Sequence, residues 1–242
     1  MTATALRRFP LWPLALLGGV AVVLAVAVRL GVPRMLRPAR QPAGRGPIAR
    51  RDGALEIPAT VHAAAFNRRL LGMPGYHLIV WQGGRAAPAA LFQAAASDVQ
   101  VLDALAALGV RPGAGLPMAA WDERDDPHSH APDRVIDGPE IELLVRVPGR
   151  PAPLALREIL EDAEGRGFEM RLGGNRDNIP RWKSGCIACL YSCPGSKVGN
   201  ARYTVRDYTR RKDRFRARPG VLPADGSPVT LVLRPVAARK DR

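Results

Sequence analysis

Several catalytic signatures are missing from this 242-residue chain. It has no G-x-S-x-G elbow, no H-E-x-x-H pair, no G-x-x-x-x-G-K-[ST] phosphate loop and no dinucleotide fingerprint following a strand. The motif-based routes to hydrolase, zincin, P-loop and Rossmann chemistry are thereby removed. Aromatic residues make up only 5% of the chain, leaving few rings for stacking on bases, and nucleic acid is not expected as a partner. Lysine occurs only at Lys183, Lys197, Lys212 and Lys240, so arginine carries nearly all of the 36 basic residues. No internal repeat is evident. Cysteine is confined to three positions, and the chain is long enough to bury a core without disulfide staples.

Those three cysteines are the feature around which the chain is organised. Cys186, Cys189 and Cys193 fall within eight consecutive positions, spaced C-x2-C-x3-C and followed by Pro194-Gly195. Thiolates are soft ligands for iron-sulfur clusters, zinc or Cu(I), and a C-x2-C pair lets two sulfurs reach one metal. If the segment is helical, the spacing i, i+3, i+7 puts all three sulfurs on one side. The spacing matches the end of the bacterial ferredoxin run, one cysteine short, so a cubane needs a fourth ligand from elsewhere. It is the reverse of the radical-SAM order and does not point to that chemistry. Two other readings stay open: a redox-active Cys186/Cys189 dithiol, and a structural disulfide with one thiol left over.

The segment SGCIACLYSCPGSKVGNARYTVRDY resembles the signature of the YdjY-like family, described as predicted ferredoxin-type proteins. Upstream, GYHLIVWQGGRAAPAALFQAAASDVQVLDALAALGVRPG is similar to the earlier half of that family, and the terminal VTLVLRP fits as well. The resemblance spans roughly Leu55 to Val236. It implies an iron-sulfur protein with Cys186, Cys189 and Cys193 as ligands.

Phe9 to Val28 is an uncharged run of 20 residues, long enough to cross a bilayer as a helix. The same stretch reads as a signal peptide ending at Ala25-Val26-Ala27. Either reading takes the chain to the cell membrane. The side is open: the arginines following the run favour a cytoplasmic domain, whereas a signal-peptide origin favours the opposite face. Residues up to Arg51 carry nine arginines and no acid, so most of the net charge of +14 belongs to this end. The resulting layout is 1–28 anchor or signal, 29–53 Arg/Pro/Gly linker, and 54–242 folded domain.

Within the domain, Ala54 to Val61 and Tyr76 to Gln82 read as strands. Gly83-Gly84 predicts a hairpin into Ala89 to Ala94. Ser97-Asp98 should cap a helix from Val99 to Leu108, which Gly109 stops. Glu140 to Val147 alternates as a strand, Leu154 to Ala163 has helical spacing, and Phe168 to Leu172 and Val229 to Leu233 are further strands. Arg202 to Tyr208 is open between strand and helix. The expected fold is α+β: a mainly antiparallel sheet with one or two helices, preceded by one N-terminal hydrophobic helix.

Among the histidines, His77 reads as a satisfied structural residue beside a strand, and His62 has no discernible partner. His128 and His130, in the polar loop from Leu116 to Asp133, are the first place to look for a fourth ligand. Lys197 to Arg218 holds nine basic residues against two aspartates, a surface on which a redox partner could dock. Gly185 and Pro194 should let the chain wrap the cysteines, and Ser196, Lys197, Gly199 and Asn200 resemble a glycine-containing loop that could aim backbone N–H groups at cluster sulfurs or an anion. Together these readings give a membrane-anchored protein that holds an iron-sulfur cluster, 4Fe-4S among the candidate types, and passes electrons to a partner protein. The alternatives are a non-catalytic structural or binding module pinned by zinc or a disulfide, and a thiol oxidoreductase.

Overall fold

Alternation builds the first long strand. Leu55, Ile57, Ala59 and Val61 turn one face of the strand Ala54–Val61 inward, while Glu56, Pro58 and Thr60 stay at least partly exposed. In the computed structural model the described residues are 46–68, 75–129, 133–209 and 215–237. The hydrophobic run Phe9 to Val28 and His130 lie outside them. Among the described residues no helix is long and apolar enough to cross a membrane.

In chain order the strands are β1 (Ala49–Arg51), β2 (Ala54–Val61), β3 (His77–Trp81), β4 (Phe92–Ala94), β5 (Ile141–Arg146) and β6 (Leu154–Ala155). These are followed by β7 (Leu160–Asp162), β8 (Met170–Leu172), β9 (Cys186–Cys189), β10 (Val198–Asn200), β11 (Phe215–Ala217) and β12 (Pro228–Pro235). The helices are α1 (Ala63–Asn67), α2 (Asp98–Ala106), α3 (Met118–Asp122), α4 (Leu156–Ile159), α5 (Ile179–Trp182) and α6 (Val205–Thr209).

The main sheet runs β6-β5-β12-β2-β4-β3-β9-β10-β8, with β1 added to β2, while β11 and β7 form a separate pair. An antiparallel bridge between Glu140 and Arg171 joins the start of β5 to β8 and brings the path round on itself. The wall of side chains inside includes Leu55, Ile57, Leu78, Phe92, Leu143, Leu172, Ile187 and Leu231, all buried. α2 adds Val101, Leu102 and Leu105 to that core.

The α+β class is what the structure shows, but the sheet is mixed rather than mainly antiparallel. β3 runs parallel to β4 and β9 parallel to β10, so both strands flanking the first cysteines have a parallel neighbour. The hairpin expected at Gly83-Gly84 does not form. A 3₁₀ turn at Ala87–Ala89 carries the chain back across the sheet, so β4 enters alongside β3 in the same direction. A tight hairpin forms instead at Asp52-Gly53, where both residues have positive φ (51° and 72°), the signature of a type I′ turn. That pairing also draws Ala49–Arg51, at the end of the expected linker, into the sheet as β1. The helix expected over Leu154 to Ala163 shrinks to the single turn α4, because strands β6 and β7 take its two ends.

The start of α2 follows local capping chemistry. Ser97 Oγ accepts from the Gln100 N–H at 3.2 Å, and the Gln100 side chain accepts from the Ser97 N–H at 3.0 Å. Ser97→Ala should therefore cost about 1 kcal/mol of stability in urea unfolding. An unchanged midpoint would show that the reciprocal cap adds nothing to this fold.

Candidate metal centre

A regular strand sends residues three apart to opposite faces, so Cys186 and Cys189 should not share a site on β9. They do, because the pairing of β9 with β3 slips register twice, between His77 and Ile79 and again between Ile79 and Val80. Irregular pairing of this kind re-aims side chains. His77 ends opposite Cys189, and Val80 opposite Cys186. The ligating atoms of His77, Cys186 and Cys189 all lie within 4.8 Å of one another.

The third cysteine arrives from a loop rather than from a helix. After β9 the chain turns through Leu190 to Gly195, and the Cys193 thiol comes within hydrogen-bonding reach of Cys189. The helical i, i+3, i+7 arrangement is thus replaced by a strand and a turn: Cys186 and Cys189 group with His77, while Cys193 lies outside that close group and reaches it through Cys189. All three thiols are buried, with exposures of 2%, 0% and 6%, and no disulfide joins them. Val80, Ala87 and Ala90 line the same pocket of packing, and half-buried Tyr76, Trp121 and Trp182 close over it.

The loop Cys193 to Ser196 is held by its carbonyls. Asn175 Nδ2 donates to the Cys193 carbonyl at 3.2 Å and to the Ser196 carbonyl at 2.7 Å. Asn178 Nδ2 donates to the Pro194 carbonyl at 2.9 Å, and Lys197 Nζ to the Gly195 carbonyl at 2.8 Å. With the carbonyls engaged elsewhere, amides are free to face sulfur. The Gly195 N–H donates to Cys193 Sγ at 3.3 Å, the Ser196 N–H closes the turn on the Cys193 carbonyl at 3.2 Å, and the Tyr191 N–H serves Cys189. These donors to sulfur, Gly195 and Tyr191, lie before the Ser196 to Asn200 stretch expected to supply them. Gly195 has no room for a side chain: an added Cβ would sit 2.8 Å from the Trp182 ring. At Gly185, φ of +70° and a Cβ position 2.3 Å from the Trp81 ring require glycine for the turn into β9.

Burial pushes the Cys189 thiol well above its ordinary range, with Cys186 adding to the effect. The neighbouring Cys189 and then burial do the same to Cys193, while amide donors pull both thiols back. Burial drives His77 down to about 4, so its ring is neutral at neutral pH. Tyr76 is raised by burial first, then by Tyr208 and by the Cys189 and Cys193 sulfurs beside it. Thiols in such a setting hold their protons until a cation replaces them.

Other expected sites fall differently. His128 is exposed, and the group of ligating side chains that converges among the described residues does not include it. His62 does have a partner: its Nε2 lies 2.9 Å from the Thr60 hydroxyl. His77, expected to be satisfied, has its Nδ1 buried with no hydrogen-bond partner among the described residues. Lys197 is no part of a basic face. Its ammonium is 1% exposed and sits 3.3 Å from Asp98 Oδ2 at the start of α2. Farther along, Tyr203, Val205, Asp207, Phe215 and Ala217 are also buried, so the stretch to Arg218 is no continuous surface.

The Lys197–Asp98 pair ties α2 to the cysteine loop and generates a test. Asp98→Ala leaves a buried ammonium uncompensated and should cost about 3–5 kcal/mol in urea unfolding, whereas Asp98→Leu combined with Lys197→Met should cost much less. Equal losses in both variants would show that desolvation of the charges does not govern this contact.

The profile of the YdjY domain matches residues 50–234. A curated relative, the uncharacterized protein YdjY of Escherichia coli (strain K12), is 30% identical over 169 residues, covering 69% of this chain and 71% of the relative. No solved structure matches the chain. The matched span includes His77, all three cysteines and nearly the whole sheet, and the chain belongs to the YdjY domain family.

Proposed function

We propose that this chain is a membrane-anchored electron-transfer protein whose Cys186, Cys189 and Cys193 hold an iron-sulfur cluster. The observation that carries the reading is the convergence of buried thiols on one dry spot, with amides already donating to two of the sulfurs. The donor set fits the group: thiolates are the ligands of iron-sulfur clusters, and hydrogen bonds to sulfur together with burial set their potential. Bound there, a cluster supplies reversible one-electron chemistry.

The protein's own contribution is positional. β9 presents Cys186 and Cys189, while Asn175, Asn178 and Lys197 hold the loop that presents Cys193. Tyr76, Trp121 and Trp182 keep water off the thiols, and Tyr76 and Trp121 pack on Tyr208 at ring-centroid distances of 4.8 and 5.3 Å. The run Phe9 to Val28 supports attachment to the cell membrane, and a second redox protein is the partner such chemistry requires. A catalytic dithiol is disfavoured, because it needs an accessible thiol, whereas Cys186 and Cys189 are both buried and burial pushes the Cys189 thiol up.

A second reading, a structural zinc site, is favoured by one observation. Ligands about 2.3 Å from a single tetrahedral ion lie about 4 Å from one another, and the His77, Cys186 and Cys189 atoms fall within 4.8 Å.

The two separate on anaerobic purification of the full chain with absorbance, iron and acid-labile sulfide assays, alongside Cys189→Ser. The electron-transfer reading predicts iron and sulfide in near-equal amounts and a visible spectrum that Cys189→Ser loses. A colourless protein carrying zinc, even after cluster reconstitution, would contradict it.

A further inference from the structure

We infer that His77 supplies the fourth ligand of the cysteine centre. The inference rests on the reading that the cysteines bind metal, but not on which metal they bind. Three cysteines leave a four-coordinate site one donor short, and the sequence offers no fourth cysteine. The register of β3 against β9 places His77 directly opposite Cys189, at the position where a cross-strand neighbour touches its partner. Its ring donor lies within 4.8 Å of both the Cys186 and Cys189 sulfurs.

The ring is also otherwise unexplained. Nδ1 of His77 is buried without a hydrogen-bond partner among the described residues. A buried polar atom left unpaired costs about 1–3 kcal/mol, which a metal bond to the ring would relieve. Tyr76 packs on the imidazole at a centroid distance of 4.0 Å and restricts its orientation, as supporting groups do around metal-bound histidines. The break in register next to His77 has the same sense: it departs from regular pairing at the one place where the ring must meet two sulfurs from the neighbouring strand. The chemical consequence is a Cys3His centre with one negative charge fewer than a four-thiolate site. If iron is bound, replacement of thiolate by neutral imidazole moves the potential upward, as it does where histidines replace cysteines on a two-iron cluster.

Cobalt(II) is the probe, added anaerobically to the metal-free full chain in detergent, with wild type, His77→Ala and His77→Cys compared. Wild type should bind one cobalt with thiolate-to-metal charge-transfer bands and the visible bands of a tetrahedral site. His77→Ala should weaken binding by more than the roughly 10–100-fold typical of losing a supporting contact, and change the visible bands. His77→Cys should restore tight binding with bands moved to lower energy, which a merely structural histidine would not produce. Identical affinity and spectra in wild type and a folded His77→Ala would overturn the assignment, as would a folded wild type that takes up no cobalt. If the protein as purified holds zinc rather than iron and sulfide, the electron-transfer reading fails while a cobalt response that depends on His77 still stands.

Discussion

Burial of three thiols in one dry spot is the constraint on which the rest of this structure turns. Sulfur packs as an apolar atom, so the site costs little while protonated and sits comfortably against Val80, Ala87 and Ala90. What is costly is the backbone required to bring the sulfurs together. β9 gives up regular pairing with β3, and the loop that follows turns its carbonyls away from the sulfurs. Each carbonyl from Cys193 to Ser196 is then met by a side-chain donor from Asn175, Asn178, Ser196 or Lys197. Without those donors the loop would present unsatisfied acceptors inside the protein.

The supports of the loop reach far into the fold. Asn175 holds its position with a left-handed backbone (φ 44°) just beyond β8, and Asn178 sits in the turn leading to α5. Lys197 anchors on Asp98, whose place at the first turn of α2 is set by the Ser97 cap. Ser192 bonds the Ile136 N–H and the Asn200 carbonyl, tying the loop to β10 and to the approach to β5. A change in any of these is therefore felt at the thiols. A buried, pinned cysteine loop suits a fixed metal centre better than disulfide exchange, which needs access.

Much of the fold was legible because short-range rules govern it. β2 and β5 follow from alternation, α2 from Ser97 and its apolar stripe, and β12 from the apolar residues of Val229 to Leu233. The close set of three cysteines was legible from spacing, although its helical geometry was not: the register slip in β9 brings Cys186 and Cys189 together, and the turn after it brings Cys193 to Cys189. His77 reads as satisfied in the sequence, yet its Nδ1 is buried without a hydrogen-bond partner among the described residues; its neighbour Cys189 lies in the strand opposite, more than a hundred positions away, and a histidine in an apolar strand has no local signal of that pairing. Lys197 was misassigned for the same reason. Its surroundings in the sequence are basic, while its partner Asp98 belongs to another element. The Asp52-Gly53 hairpin falls in residues read as linker, although an Asp-Gly pair is a local turn signal, and the parallel course of β4 was not written locally at all.

The most direct test of the central claim is X-ray absorption at the metal edge on the full chain as purified anaerobically. A first shell dominated by sulfur at about 2.3 Å, with one nitrogen at about 2.0 Å, is the result this structure predicts. A shell of oxygen and nitrogen alone, or protein free of any metal, would contradict it.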